Sequence, residues 1–185
     1  SDDFTRVVRA DPARKGLLYA GTETGVYVSF DDGANWQPLQ LNLPQVPIYD
    51  MKVKNSDLVV ATHGRSFWIL DDVTPLRQYG AKITDQKCHL FEPRTTVRAS
   101  PKVFEDRMNA AGVTDGKFYM TTLGIVTTGY STMDENGVID RYFYEAGNNP
   151  PRGAIITYFL KDAVETLSLE IKNGAGNGWR NFTSN

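Results

Sequence analysis

The sequence predicts an all-β protein: the terminal blades of a β-propeller followed by a β-sandwich. Two observations carry this. A segment recurs at an offset of 40 residues in the first half, and from end to end short β-branched or aromatic runs alternate with Gly, Pro and Asn clusters. Helical periodicity is nearly absent, with only Glu105 to Ala111 showing any. The 185 residues, 41% hydrophobic and 23% charged, suffice for one ordinary domain or two small ones and exclude a disordered or collagen-like chain.

The repeat aligns Leu18-Tyr19-Ala20-Gly21-Thr22-Glu23-Thr24-Gly25-Val26-Tyr27-Val28-Ser29-Phe30-Asp31-Asp32 with Leu58-Val59-Val60-Ala61-Thr62-His63-Gly64-Arg65-Ser66-Phe67-Trp68-Ile69-Leu70-Asp71-Asp72, without gaps. In the first copy the expected strands are Thr5 to Ala10, Leu17 to Thr22, Gly25 to Phe30 and Trp36 to Leu39. In the second they are Ile48 to Val53, Leu58 to Thr62 and Ser66 to Leu70. Four-stranded units of about 40 residues are what propeller blades are made of, and a ring of about four to eight would take roughly 160–320 residues. The chain therefore holds one full blade and an incomplete last one over 1–77, and cannot close a ring alone.

The turn Ser29-Phe30-Asp31-Asp32-Gly33-Ala34-Asn35-Trp36 has its own logic. Asp31 can accept backbone N–H bonds, Gly33 can take a positive φ, and Trp36 should open the outer strand and bury its ring between blades. In the second copy Asp71 is kept, but Ile69, Val73 and Leu76 replace Ser29, Gly33 and Trp36, and Pro75 follows. The chain is expected to leave the ring there, with the missing outer strand borrowed from a segment N-terminal to this chain rather than taken from residues 73–85.

Ser29-x-Asp31-x-Gly33-x-Asn35-Trp36 resembles the Asp-box of bacterial-neuraminidase-type repeats, found in sialidases, xyloglucan-cleaving glycosidases and the sortilin ectodomain. Asp11-Pro12, Leu18 to Thr22, Val59 to Asp72 and Asn149-Pro150-Pro151-Arg152-Gly153-Ala154 extend the resemblance to the C-terminal part of large bacterial proteins labelled sortilin-like or neuraminidase-repeat glycosyl hydrolases. It is strong over 4–77 and patchy over 88–172, and 105–145 departs from it as an insertion. The resemblance implies an immunoglobulin-like module after the propeller and a secreted, periplasmic or cell-envelope location.

Residues 78–87 are polar and read as a linker. Beyond it, Cys88 to Phe91, Thr95 to Ala99, Lys117 to Leu123, Arg141 to Glu145, Ala154 to Leu160 and Thr166 to Ile171 are expected strands of the sandwich over 88–185. Thr166 to Ile171 alternates cleanly, so Leu167, Leu169 and Ile171 should face its core.

In a blade, the loop between the second and third strands lies on the face where propellers usually take ligands. Glu23, His63 and Arg65 are therefore the ligand-face candidates, with His63 suited to acid–base or hydrogen-bonding work and Arg65 to clamping a carboxylate. The competing and favoured reading is that His63 and Arg65 stitch neighbouring loops together. Ser29, Asp31, Gly33, Trp36 and Asp71 are read as structural Asp-box positions, since adjacent carboxylates such as Asp31 and Asp32 point apart and cannot flank a glycosidic bond.

Catalytic residues are not expected in this chain. A sialidase would carry an arginine triad and a Tyr–Glu pair, and Tyr144-Glu145 is such a pair in letters only. His63 and His89 are the only histidines and Cys88 the only cysteine, so neither a zinc site nor an internal disulfide is expected. Asp134-Glu135-Asn136-Gly137 with Asp140 is an incomplete calcium-loop pattern, read as an acidic turn. No metal or cofactor is assigned, and the Asn181-Phe182-Thr183 sequon carries no assignment either.

Twenty Lys and Arg against 22 Asp and Glu give a net charge of -2, which argues against a nucleic-acid partner. No run is long enough for a membrane-spanning helix. The start at Ser1, without an initiator Met or a signal peptide, reads as a cut or processed beginning. The leading expectation is a non-catalytic binding or assembly module of a larger secreted or envelope protein. Its partners would be the remaining propeller blades and a protein or peptide ligand. A glycoside hydrolase with its carboxylates in other blades is the first alternative, and a surface or homo-oligomerisation module the second. Tyr142, Phe143, Tyr144, Tyr158 and Phe159 are dense enough to suggest a carbohydrate platform, but alternation puts Tyr142 and Tyr144 on one face and Phe143 on the other, so at least one face is expected to be core.

Overall fold

A computed structural model describes residues 3–96, 116–122, 125–133, 135, 139–144 and 153–184. The chain divides into two compact units, one of residues 1–94 with 156–185 and one of residues 95–155. The described architecture is all-β with two short helices, and every strand pairing is antiparallel.

The first unit opens with a four-stranded meander of β1 (Thr5–Ala10), β2 (Leu18–Thr22), β3 (Val26–Ser29) and β4 (Gln37–Pro38), in that spatial order. A three-stranded meander of β5 (Ile48–Lys54), β6 (Asp57–Thr62) and β7 (Phe67–Leu70) follows. These seven strands lie where the hydrophobic runs placed them, to within a residue or two. Helices α1 (Thr74–Gln78) and α2 (Ala81–Thr84) come next, over a stretch that includes the polar segment read as a linker. Pro75 lies in the first turn of α1, where a missing N–H costs nothing. Residues 73–85 donate no strand to the second sheet.

The two sheets pack face to face. Val7, Leu17, Tyr19, Val26 and Val28 from the first join Val46, Ile48, Met51, Leu58 and Val60 from the second, closed by Val73. Tyr19, Leu17, Ile48, Met51 and Leu58 are fully buried, and each such side chain contributes about 1.5–3 kcal/mol. The closest approach is at Gly21, where a Cβ would lie 2.6 Å from Ile48 Cγ2 and 2.8 Å from Val7 Cγ1. Glycine is what lets the sheets meet there.

Strand pairing revises the alignment of the repeat. The β2–β3 hairpin closes on Gly21 opposite Val26, with the Thr22 N–H donating to Gly25 O. The β6–β7 hairpin closes on Ala61 opposite Phe67, with the Thr62 N–H donating to Ser66 O. The second loop is one residue longer, so the third strands correspond at an offset of 41 and Phe67 matches Val26 rather than Tyr27. A slip of one residue exchanges the two faces of a strand.

The faces can then be compared sheet by sheet. In the first sheet, Val7, Tyr19, Gly21, Val26 and Val28 share the face turned to the second sheet. Their counterparts in the second, Val59 opposite Ile69 and Ala61 opposite Phe67, lie on the face turned away, because Val60, Trp68, Leu58 and Leu70 face the first sheet. The sheets therefore stack head to tail. Phe67 is 73% and Ile69 57% exposed as a result. On the far side of the first sheet, Val8, Leu18, Ala20 and Tyr27 form another apolar face.

A buried polar node ties these parts together. The fully buried Asp11 carboxylate accepts from the Ala13 and Arg14 N–H groups and pairs with Arg77 Nε at 3.0 Å. Arg77 also donates to Ser56 Oγ and Asn55 O in the β5–β6 turn, so α1 is clamped to both sheets. Burial first, and the Asp11 charge second, raise the pKa of the neighbouring Tyr19 phenol, which stays neutral.

The rest of the first unit holds β8 (Cys88–Leu90) paired with β12 (Tyr158–Leu160), and the hairpin of β13 (Leu167–Lys172) and β14 (Gly178–Ser184). Leu167, Leu169 and Ile171 are half-buried and alternate with exposed neighbours, on the expected face. An apolar cleft separates β13 from the β8–β12 pair, lined by Leu90, Tyr158, Leu160, Leu167 and Leu169 among others. The exposed Cys88 thiol is free.

The second unit contains the meander of β9 (Gly116–Thr122), β10 (Ile125–Met133) and β11 (Ile139–Phe143), in the order β11–β10–β9. Strands β10 and β14 were not anticipated. The expected helix over Glu105 to Ala111, most of the expected strand Thr95 to Ala99, and the Asp134–Gly137 turn apart from Glu135 lie outside the described residues.

Candidate functional site

The β2–β3 and β6–β7 loops bring two of the three ligand-face candidates into one chain of contacts. Glu23 pairs with Arg6 at 2.5 Å. The Arg6 guanidinium carbon lies 4.8 Å from the Tyr49 ring centre and 5.6 Å from that of Phe4. His63 continues the chain, its ring 4.9 Å from Tyr49 at an interplanar angle of 38°. A flat guanidinium suits an aromatic face, and such contacts contribute about 0.5–1 kcal/mol at exposed sites.

Local structure fixes each member. The Glu23 N–H donates to Phe4 O at 3.2 Å and the His63 N–H to Pro47 O at 2.9 Å, which ties each loop to the strand beside it. Arg6 sits on β1 and Tyr49 on β5, the first strands of the two sheets. The Asp3 carboxylate accepts from the Thr22 hydroxyl at 2.6 Å and from that of Thr24. Those hydroxyls, Thr22 first, hold Asp3 below the ordinary carboxylate pKa.

Arg65 stands apart. Its guanidinium reaches only Gly64 O, at 3.4 Å, while its backbone carbonyl accepts from Trp68 Nε1 at 2.9 Å. The residue shapes the hairpin, and its side chain extends into solvent. Gly64 and Ser66 on either side both have positive φ, so the tip is tightly turned.

At the opposite end of β3 lies the Ser29–Trp36 turn. Ser29 Oγ donates to Asp31 Oδ1 at 2.8 Å and accepts from the Gly33 N–H at 2.9 Å. Asp31 also accepts from the Asn35 backbone N–H at 2.8 Å and from Asn35 Nδ2 at 2.7 Å. The Asn35 side chain, then its backbone N–H, then Ser29 lower the Asp31 pKa. Both carboxylate oxygens are engaged within the turn itself, leaving the group a scaffold part.

Two positions there differ from expectation. Trp36 is 40% exposed rather than buried between sheets; its ring lies near the Cβ direction of Gly33, beside Leu18, on the outward face of the first sheet. On that face Val8 is 46% exposed, Leu18 and Tyr27 are half-buried and Ala20 is buried. In the second copy the organising role falls to Asp72 and not to Asp71, because Asp72 Oδ1 accepts from the Thr74 N–H at 3.1 Å and from its hydroxyl.

Among the described residues, no group of three or more His, Cys, Asp or Glu is arranged to hold a metal ion. Each described carboxylate at the Glu23 end has a partner: Glu23 has Arg6, Asp50 has Arg9 at 2.5 Å, and Asp3 has the two threonines. Arg6 and Tyr49 were not singled out from sequence. Their only signal was position in a first strand, which becomes informative once the pairing is known. No helix among the described residues is long and apolar enough to cross a membrane.

None of the protein-family models, curated proteins or solved structures compared with the chain matches it.

Proposed function

We propose that the chain is a non-catalytic binding and assembly module from a larger β-propeller protein of the Asp-box type. In this reading the two stacked sheets are consecutive blades, and an immunoglobulin-like module follows them. The ligand of the Glu23 end is a protein or peptide, and the protein works outside the cytoplasm, as the resemblance implies. The observation that carries the reading is the head-to-tail stacking, which leaves an unsatisfied apolar face on each side. A head-to-tail interface repeats until a ring closes or a filament grows.

The peptide assignment rests on Arg6, Tyr49 and His63. An exposed aromatic beside a guanidinium is the composition found in protein-recognition anchors, where Tyr and Arg are enriched. Each described carboxylate at this end is already paired, so glycoside hydrolysis, which needs one carboxyl kept protonated and two facing each other across a bond, would have to draw its carboxylates from elsewhere.

Selection of a random displayed peptide library against the chain tests this directly. Enriched peptides should lose most of their binding to Tyr49→Ala, at a cost of about tenfold or more, while melting temperature and circular dichroism stay unchanged. Enrichment of no sequence, or binding indifferent to Tyr49→Ala, would overturn the assignment.

A further inference from the structure

The second unit presents a surface of different chemistry. On the β9–β10–β11 meander, Tyr119 stands opposite Thr128 and Lys117 opposite Tyr130, while Tyr142 stands opposite Tyr130 on the other side. The Tyr144 N–H donates to Thr128 O at 3.1 Å, which continues the β11 register one residue beyond Phe143. Cross-strand partners share a face, as do residues two apart on one strand. Four tyrosines therefore occupy one face in two rows, Tyr119–Thr128–Tyr144 and Lys117–Tyr130–Tyr142.

That face is the open one. Tyr119 is 72% exposed, Tyr144 59%, Tyr142 49% and Tyr130 38%, whereas Ser131 on the other face is fully buried and Gly129 is buried too. We propose that the tyrosine face binds a neutral, linear, ribbon-shaped polysaccharide. The proposal uses no residue of the Glu23 end and stands or falls separately from the peptide reading.

Three features select this ligand. The exposed aromatic positions are all tyrosine, whose ring stacks on the C–H face of a sugar while its hydroxyl, with those of Thr128 and Thr132, bonds sugar hydroxyls. One lysine among these rows gives too little charge to attract a polyanion, and the chain as a whole carries -2. The spacing fits as well: Tyr130 and Tyr142 are one strand apart, about 5 Å, and Tyr119 and Tyr144 two apart, about 10 Å. An extended chain of sugars lying across the strands would set neighbouring rings over Tyr130 and Tyr142 in one row, or alternate rings over Tyr119 and Tyr144 in the other.

Calorimetric titration of the full chain with cellohexaose tests this, against hexagalacturonate as the acidic chain, maltohexaose as the curved one and a proline decapeptide as the protein-like one. Cellohexaose should bind measurably at concentrations up to about 10 mM, and more tightly than the other three. Tyr142→Thr, which keeps β-propensity, should weaken it about fivefold or more, and Tyr49→Ala should leave it unchanged. Tyr130→Thr provides a second reading if Tyr142→Thr alters the circular dichroism. Absence of cellohexaose binding, equal or tighter binding of any of the other three probes, or affinity unaffected by either tyrosine variant in a folded chain would overturn the proposal.

Discussion

Asp31 and Asp11 organise loops by the same chemistry at opposite burial. Asp31 is solvent-exposed and collects donors from Ser29 and Asn35. Its folded-state pKa lies below the ordinary 3.8, so its ionised form favours the fold. That contribution is complete above the unfolded-state value and disappears as pH falls through the folded-state value. Asp31→Asn should therefore lower the melting temperature at pH 7, and the difference from the parent chain should shrink as pH drops below about 4. Melting curves recorded from pH 7 to pH 2 check both the sign and the window. Asp11 was legible only as half of an Asp-Pro pair, because its partner Arg77 is 66 residues away and nothing local announces it. Removing one member of a buried pair leaves the other uncompensated, so Asp11→Ala should cost about 3–5 kcal/mol in urea unfolding. Asp11→Ala combined with Arg77→Met should cost less than Asp11→Ala alone.

Strands of the first two sheets were readable because their apolar runs are short, β-branched and bounded by turn residues. The hairpin registers were not, because an ungapped alignment hides a single inserted residue. His63-Gly64-Arg65 occupies the place of Glu23-Thr24, and that extra residue moves Phe67 onto the Val26 position. Strands β10 and β14 escaped notice for another reason: Ile125–Met133 and Gly178–Ser184 are rich in Thr, Ser, Gly and Asn, which carry little hydrophobic signal. Glu23 and His63 could be placed at one end of the sheets from blade logic alone. Arg6 and Tyr49, which connect them, depend on the packing of β1 beside β5. The contact at Gly21 tests that packing, because a methyl group there would overlap Ile48 and Val7. Gly21→Ala should destabilise the chain by about 1–3 kcal/mol, and Ile48→Leu in the same chain, which moves the branch off Cβ and removes the overlapping Cγ2, should recover part of the loss. Urea midpoints of the parent and the two variants measure it; a neutral Gly21→Ala would mean that the sheets are further apart than described.

At the scale of the molecule, the central claim is that the first two sheets are successive members of a head-to-tail stack. The face bearing Val59, Ala61, Phe67 and Ile69 should fit the face bearing Val8, Leu18, Ala20 and Tyr27, as the buried faces between the two sheets already fit each other. Exposed apolar surface of this kind marks an interaction site. The most direct measurement is sedimentation of the chain beside Val8→Lys, which spoils one outward face, and Phe67→Lys, which spoils the other. The account predicts concentration-dependent association of the parent chain, monomers for each variant alone, and a dimer when the two variants are mixed, since each retains the face the other has lost. A parent chain that stays monomeric at all concentrations, or a mixture of the two variants that remains monomeric, would contradict it.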